Sequence, residues 1–215
     1  RPEVDFPPRG AMNLLGNGLF GANHHADALS VQEAELAMKR RLGAPEHHLL
    51  VAQSNLSGTY QALGRLEESL RMQRDVYSGY LKLYGEEHRD TFLVAENYAW
   101  NLVDLRRFKE AKRVLRKTIP VAQRVIGANH AVTLKIRWCY ANALCEADGA
   151  TLDDLREAVA TLEDTVRIAR RVFGGAHPNA VDMETSLRKS RAVFRAREAT
   201  GGVSSLCDAM DALNT

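Results

Sequence analysis

Asn55-Leu56-Ser57-Gly58-Thr59-Tyr60-Gln61-Ala62-Leu63-Gly64 decides the reading of this chain, because its opening triplet returns at a fixed interval. Asn97-Tyr98-Ala99 stands 42 residues on, and Cys139-Tyr140-Ala141 another 42 residues beyond it. A glycine precedes each triplet by twelve residues, at Gly43, Gly85 and Gly127. A period of this size implies units that bury their apolar faces against neighbours rather than each closing its own core. Counting back 42 residues from Asn55 gives Asn13-Leu14, and counting forward 47 from Cys139 gives Ser186-Leu187.

Inside one period, Leu56, Tyr60 and Leu63 recur at helical spacing, Gly64-Arg65 interrupts, and Leu66, Leu70, Val76, Tyr80 and Tyr84 mark a second helix. The next period repeats the pair: Tyr98, Leu102 and Leu105, a turn at Arg106-Arg107, then Phe108, Ala111, Leu115, Ala122 and Ile126. Pro120 falls within that second helix, where a missing N–H and a ring clash predict a kink. The following period places Ile136, Tyr140 and Leu144 before Leu155, Ala158, Leu162, Val166, Ala169 and Phe173. Its glycine, Gly174, comes 47 residues after Gly127, so Ala147-Asp148-Gly149-Ala150-Thr151 predicts a longer loop. The pattern predicts six helices and no strand over residues 44–173.

The expected organisation is an extension at 1–10, repeats at 11–43, 44–85, 86–127 and 128–174, a partial repeat at 175–197, and a capping helix at 198–215. Gly16, Gly18 and Gly21 predict a weakened first helix, and Gly201-Gly202 predicts a break before the cap carrying Leu206, Met210 and Leu213. His88, His130 and His177 each fall three residues after a glycine, with Asp90, Thr91 and Thr133 as expected helix starters.

The bulk properties agree with helices. Of 215 residues 45% are hydrophobic and only 7% aromatic, while Ala, Leu, Glu, Arg and Lys dominate. A net charge of +2 creates no field that demands nucleic acid or a membrane. Three cysteines cannot complete a disulfide framework, which points to reduced thiols and a cytoplasmic setting. The start at Arg1, without an initiator methionine, implies a processed chain or a fragment.

Asn55, Leu56, Tyr60, Gly64, Glu67, Glu68, Gly85 and His88, with the ending restated at Gly174, His177 and Pro178, resemble the tetratricopeptide repeat in its 42-residue, kinesin-light-chain-like form. The resemblance spans roughly residues 11–197. It departs from the pattern where Cys139 and Ser186 replace the repeated Asn and Arg106 replaces the turn Gly. It implies an all-α fold, a right-handed α-solenoid of antiparallel helix pairs, whose first helices line a concave groove. It further implies that Asn13, Asn55 and Asn97, joined by Asn142, hydrogen-bond the backbone of an extended peptide. A carboxamide suits that role, offering donors and an acceptor to one ligand residue. The alternative for these asparagines is to bond a neighbouring helix and hold repeats together.

Trp100 and Trp138 miss the packing positions, so both are expected on the inner side, where their rings would make an aromatic hot spot; filling a gap between helices is the competing role. Between Arg106 and Arg124, eight cations face the single carboxylate of Glu110. Lys109, Lys112, Arg113, Arg116 and Lys117 form a basic stripe fit for an acidic peptide segment, and without interleaved aromatics it is a poor nucleic-acid surface.

Other signals carry little. Gly16 to Gly21 spells G-x-G-x-x-G but follows no strand. The histidine pairs at 24–25 and 47–48 lack partners at metal-ligand spacing, and Cys139 and Cys145 suit neither zinc nor a disulfide. No nucleophile stands at a recognisable spacing from a base. The expectation is therefore a non-catalytic protein-protein interaction scaffold without cofactor, metal or membrane contact. The alternatives are a structural subunit packed through its convex face or ends and, third, a nucleic-acid-associated repeat.

Overall fold

The computed structural model describes the backbone of residues 10–213 and the side chains of residues 10–199. These residues form nine helices and no strand: α1 (Ala11–Gly21), α2 (His25–Arg41), α3 (Glu46–Ala62), α4 (Leu66–Tyr84), α5 (Arg89–Asp104), α6 (Phe108–Val125), α7 (Ala131–Cys145), α8 (Leu152–Phe173) and α9 (Pro178–Leu213). They fall into two compact units, the first ending at Leu105 and the second beginning at Arg106.

In the first unit each helix packs on the next, from α1 to α5. Leu36 of α2 meets Ala52 and Leu56 of α3, with Leu29, Leu49, Tyr60 and Met72 around them. Leu50 of α3 meets Val76 and Tyr80 of α4 and Val94 of α5. The α3 helix therefore buries one flank on α2 and the other on α4, as the repeat period requires. Two glycines set the closest approaches. A methyl group on Gly79 would stand 2.6 Å from Leu50 Cδ2, and one on Gly16 would stand 2.9 Å from Gln32 Cγ. Gly16 thus serves packing in α1, which forms despite its three glycines.

In the second unit, α6 to α9 pack in sequence, and α7 also touches α9. Phe108, Ala111, Leu115 and Ala122 form the buried face of α6; Leu134, Ile136, Tyr140 and Leu144 are buried on α7, and Leu155, Leu162 and Ala169 on α8. The six-residue link between α7 and α8 is longer than the three-residue link between α3 and α4, as the insertion predicts. Pro120 lies inside α6, which continues past it to Val125. The expected break at Gly201-Gly202 is absent, because α9 runs as one helix from Pro178 to Leu213. Glycine in a helix costs about 1 kcal/mol relative to alanine but permits helical dihedrals. The apolar side chains of the expected cap, and residues 1–9 of the extension, lie outside the described residues.

The recurring histidines start helices themselves. His88, His130 and His177 each accept, through Nδ1, the backbone N–H two residues on, at Asp90 (3.2 Å), Val132 (3.2 Å) and Asn179 (3.1 Å). The expected starters Thr91 and Thr133 are instead buried. An imidazole placed one residue ahead of the first turn reaches an orphan amide as a Ser or Asp cap would. At the turn inside the pair, Gly64 (φ +74°) is matched one period later by Arg106 (φ +57°). Arginine holds this left-handed conformation with its guanidinium bonded to Asp148 and set over Phe108.

Two predictions follow from this packing. Gly79→Ala should destabilise the chain by up to about 2 kcal/mol, the overpacking against Leu50 outweighing about 1 kcal/mol of helix propensity gained, and Leu50→Val should recover part of the loss, as read by urea denaturation of both variants. The second concerns acid. The Thr151 N–H bonded to Asp154 and the Arg137 guanidinium bonded to Asp164 hold both carboxyls below the usual aspartate range. Because the folded values lie below the unfolded ones, this stabilisation is complete above about pH 4 and is lost as acid protonates the folded carboxylates. The D154N/D164N variant should therefore be less stable than wild type at neutral pH. The difference should shrink as pH falls below about 4, measured as urea midpoints at neutral and acid pH.

Candidate functional site

The first helix of each pair carries the asparagines singled out by the repeat. On α5, Asn97 and Asn101 stand one turn apart and play opposite parts. Asn101 is buried, and its carboxamide is spent within the unit: Nδ2 donates to the Asn97 carbonyl (3.0 Å) and to Gln61 Oε1 (3.5 Å), while Oδ1 accepts from Ser69. Ser69 also lies within hydrogen-bond distance of the Ser57 carbonyl at 2.8 Å, so α3, α4 and α5 share one buried polar knot. Asn97 is exposed, and its carboxamide has no partner among the described residues. Asn55 on α3 is half-buried with its amide likewise unengaged.

The structural asparagine is therefore Asn101, which the repeated triplet does not mark. A signal for it exists: Asn101 stands 42 residues after Thr59, and Thr59 is also fully buried, donating to Gln32 Oε1 at 2.7 Å. In the first unit a polar residue at this register closes the α2–α3 and α3–α5 junctions inward. At the edge of the same surface, Gln61 donates to Asp104 at 2.6 Å, linking α3 to α5. Trp100 lies half-buried between Asn97 and Asn101 in sequence. Asn13 on α1 accepts from Asn17 Nδ2 at 3.2 Å, a contact within its own helix.

In the second unit, Trp138 and Asn142 stand one turn apart on α7, both half-buried. The Trp138 indole N–H donates to Ser186 Oγ of α9 at 2.8 Å. Trp138 thus ties one first helix to the next, and the ring is oriented by that bond. Ser186 occupies the register of the repeated asparagine, so the hydroxyl that replaces the amide has a partner inside the chain. Lys189 of α9 meets Glu146, the residue just past the end of α7, at 2.6 Å. Trp100 and Trp138 belong to different units.

The basic stripe divides. Lys112 is mostly covered and pairs with Asp154 of α8 at 3.4 Å. Arg116 Nε donates to the Tyr140 hydroxyl (2.8 Å), which donates to Glu157 (2.8 Å), and burial pushes that hydroxyl's pKa up. Lys109, Arg113 and Lys117 are exposed. The five-residue stripe expected from the sequence is therefore two tethered cations and three outward ones. Among the described residues no cluster of His, Cys, Asp or Glu is arranged to hold a metal, and no helix is long and apolar enough to cross a membrane.

Two tetratricopeptide-repeat family models match this sequence, one over residues 48–124 and another over residues 150–179. The chain carries tetratricopeptide repeats. The TPR-like repeats of a kinesin-light-chain-type protein from Podosopora anserina superpose with a TM-score of 0.72 at 18% identity, covering 95% of this chain and 94% of that one. BtubC (BKLC) from P. vanneervenii superposes with a TM-score of 0.64 at 16% identity, covering 89% of this chain and 80% of that one. At these identities the likeness is one of fold. No curated protein matches the sequence.

In tetratricopeptide terms the geometry separates the residues that build the repeats from those that face outward. Asn101→Ala should destabilise the chain by about 1–3 kcal/mol, because it leaves Ser69 and the Asn97 carbonyl short of partners in a buried site. Asn97→Ala should change stability by less than about 0.5 kcal/mol, as expected at an exposed position. Equal losses in thermal denaturation would overturn this division.

Proposed function

We propose that the chain is a non-catalytic protein-interaction module that holds an extended segment of a protein partner on the first helices of its repeats. The observation that carries this reading is the contrast on α5. One asparagine is buried with its amide spent on the fold, and its neighbour one turn away is exposed with its amide unspent. A carboxamide exposed at a repeating register can bond both the N–H and the C=O of one peptide residue. Asn55 on α3 is half-buried with its amide likewise unengaged, beside the buried Thr59, so the first unit offers two unengaged amides one repeat apart.

The half-buried rings would supply apolar contact within their own units. Trp100 follows Asn97 on the same helix, and Trp138 presents a ring fixed by Ser186 beside the amide of Asn142. A ring already held in place loses little conformational freedom when a ligand side chain packs on it. Asn13, whose carbonyl oxygen accepts from Asn17, has the weaker claim to the same role.

The test is a selection of phage-displayed random peptides on the whole chain, followed by titration of the selected sequences against variants. The Asn55→Ala/Asn97→Ala double variant should bind them more weakly by about 1 kcal/mol or more per amide, with an unchanged melting transition. Undiminished affinity in that folded variant would remove these amides from the function.

A further inference from the structure

We infer that the outward face of α6 is a docking surface for an acidic segment of a protein partner, read by Lys109, Arg113 and Lys117. This surface lies on the second helix of a pair and does not depend on the amides of the first helices. The three residues recur at every fourth position. On an α-helix that places them along one line, about 6 Å apart, within an arc of about 80°. Phe108, Ala111, Leu115, Thr118 and Ala122 bury the opposite side, so the line points directly away from the core.

What distinguishes this row from an ordinary solvated face is the fate of the other cations around it. Arg106 is paired with Asp148, Arg107 with Glu110, Lys112 with Asp154, and Arg116 with Tyr140 and Glu157. The fold thus supplies carboxylates to the neighbours of the row. Among the described residues it supplies none to Lys109, Arg113 or Lys117. Like charges four residues apart on a helix repel, so the free chain carries an uncompensated repulsion along α6. A ligand with carboxylates at a spacing of about 6 Å relieves it; a helix with Glu or Asp at every fourth position has that spacing.

Protein fits better than nucleic acid. The row carries no aromatic side chain on which a base could stack. Three free cations are also fewer than the roughly 6–10 phosphate contacts behind strong electrostatic binding of DNA.

The experiment uses the whole chain and a fluorescein-labelled, alanine-based helical peptide with glutamate at every fourth position, followed by fluorescence anisotropy. The expected result is binding that weakens about tenfold or more as sodium chloride rises from about 50 to about 300 mM. The same peptide with glutamine at those positions should not bind. The K109E/R113E/K117E variant should lose the glutamate peptide and gain a lysine version of it, with a melting temperature at or above that of wild type. The neutral R113Q variant, which removes one charge only, should weaken binding while melting no lower than wild type. Equal binding of the glutamate and glutamine peptides overturns the inference, as does undiminished binding by R113Q. Tighter binding of a thymidine oligonucleotide than of the glutamate peptide would overturn the assignment to protein.

Discussion

A helix with apolar residues on two flanks cannot be satisfied by a single partner, and everything else in this chain follows from that. Leu56 on α3 is buried against α2, while Leu50 on the same helix is buried against α4 and α5. Remove either neighbour and the apolar surface it covers returns to water, at about 25 cal/mol for each Å². A pair of helices is therefore not a stable object here, whereas a run of them is. The same demand governs the second unit, where α8 buries Leu155, Leu162 and Ala169 between α7 and α9.

Burial between neighbours brings polar atoms in with it, and each junction must find partners for them. The buried knot of Asn101, Ser69, Gln61 and the Ser57 and Asn97 backbone does this between α3, α4 and α5. Thr59 and Gln32 do it between α2 and α3. These bonds restrict how neighbours slide along each other, since apolar contact alone tolerates small shifts and a hydrogen-bonded amide does not. Gly79 and Gly16 act in the same direction by letting Leu50 and Gln32 lie closer than a Cβ would permit without a shift. The register so fixed keeps Asn55 and Asn97 at equivalent places on successive first helices.

Period and apolar spacing made the helix pairs, the turns and the longer α7–α8 link legible, because those depend on residues close in sequence. What was not legible depends on contacts between residues far apart. The glycine-to-histidine interval stood out, yet the capping role of His88, His130 and His177 needs Nδ1 geometry that letters do not carry. The bond that orients Trp138 was not legible because its partner, Ser186, lies 48 residues away on another first helix. The basic stripe read as one surface because helical spacing alone ignores Asp154 and Glu157 on α8. Gly201-Gly202 read as a stop because propensity is a weak prior that a long helix overrides.

Asn97 and Asn101 make the clearest case for separating fold from site. Both are amides on one helix, and conservation of residue type alone would treat them alike. Burial sets them apart: an amide in the interior must be bonded or costs about 1–3 kcal/mol, so Asn101 is held where its partners are. An exposed amide carries no such penalty, and water satisfies it equally well in the free chain. Nothing in the stability of α5 requires asparagine at position 97. The repeat nonetheless writes asparagine at positions 55 and 97, and the proposed complex, in which a ligand's backbone would take the place of water, gives that placement a physical rationale.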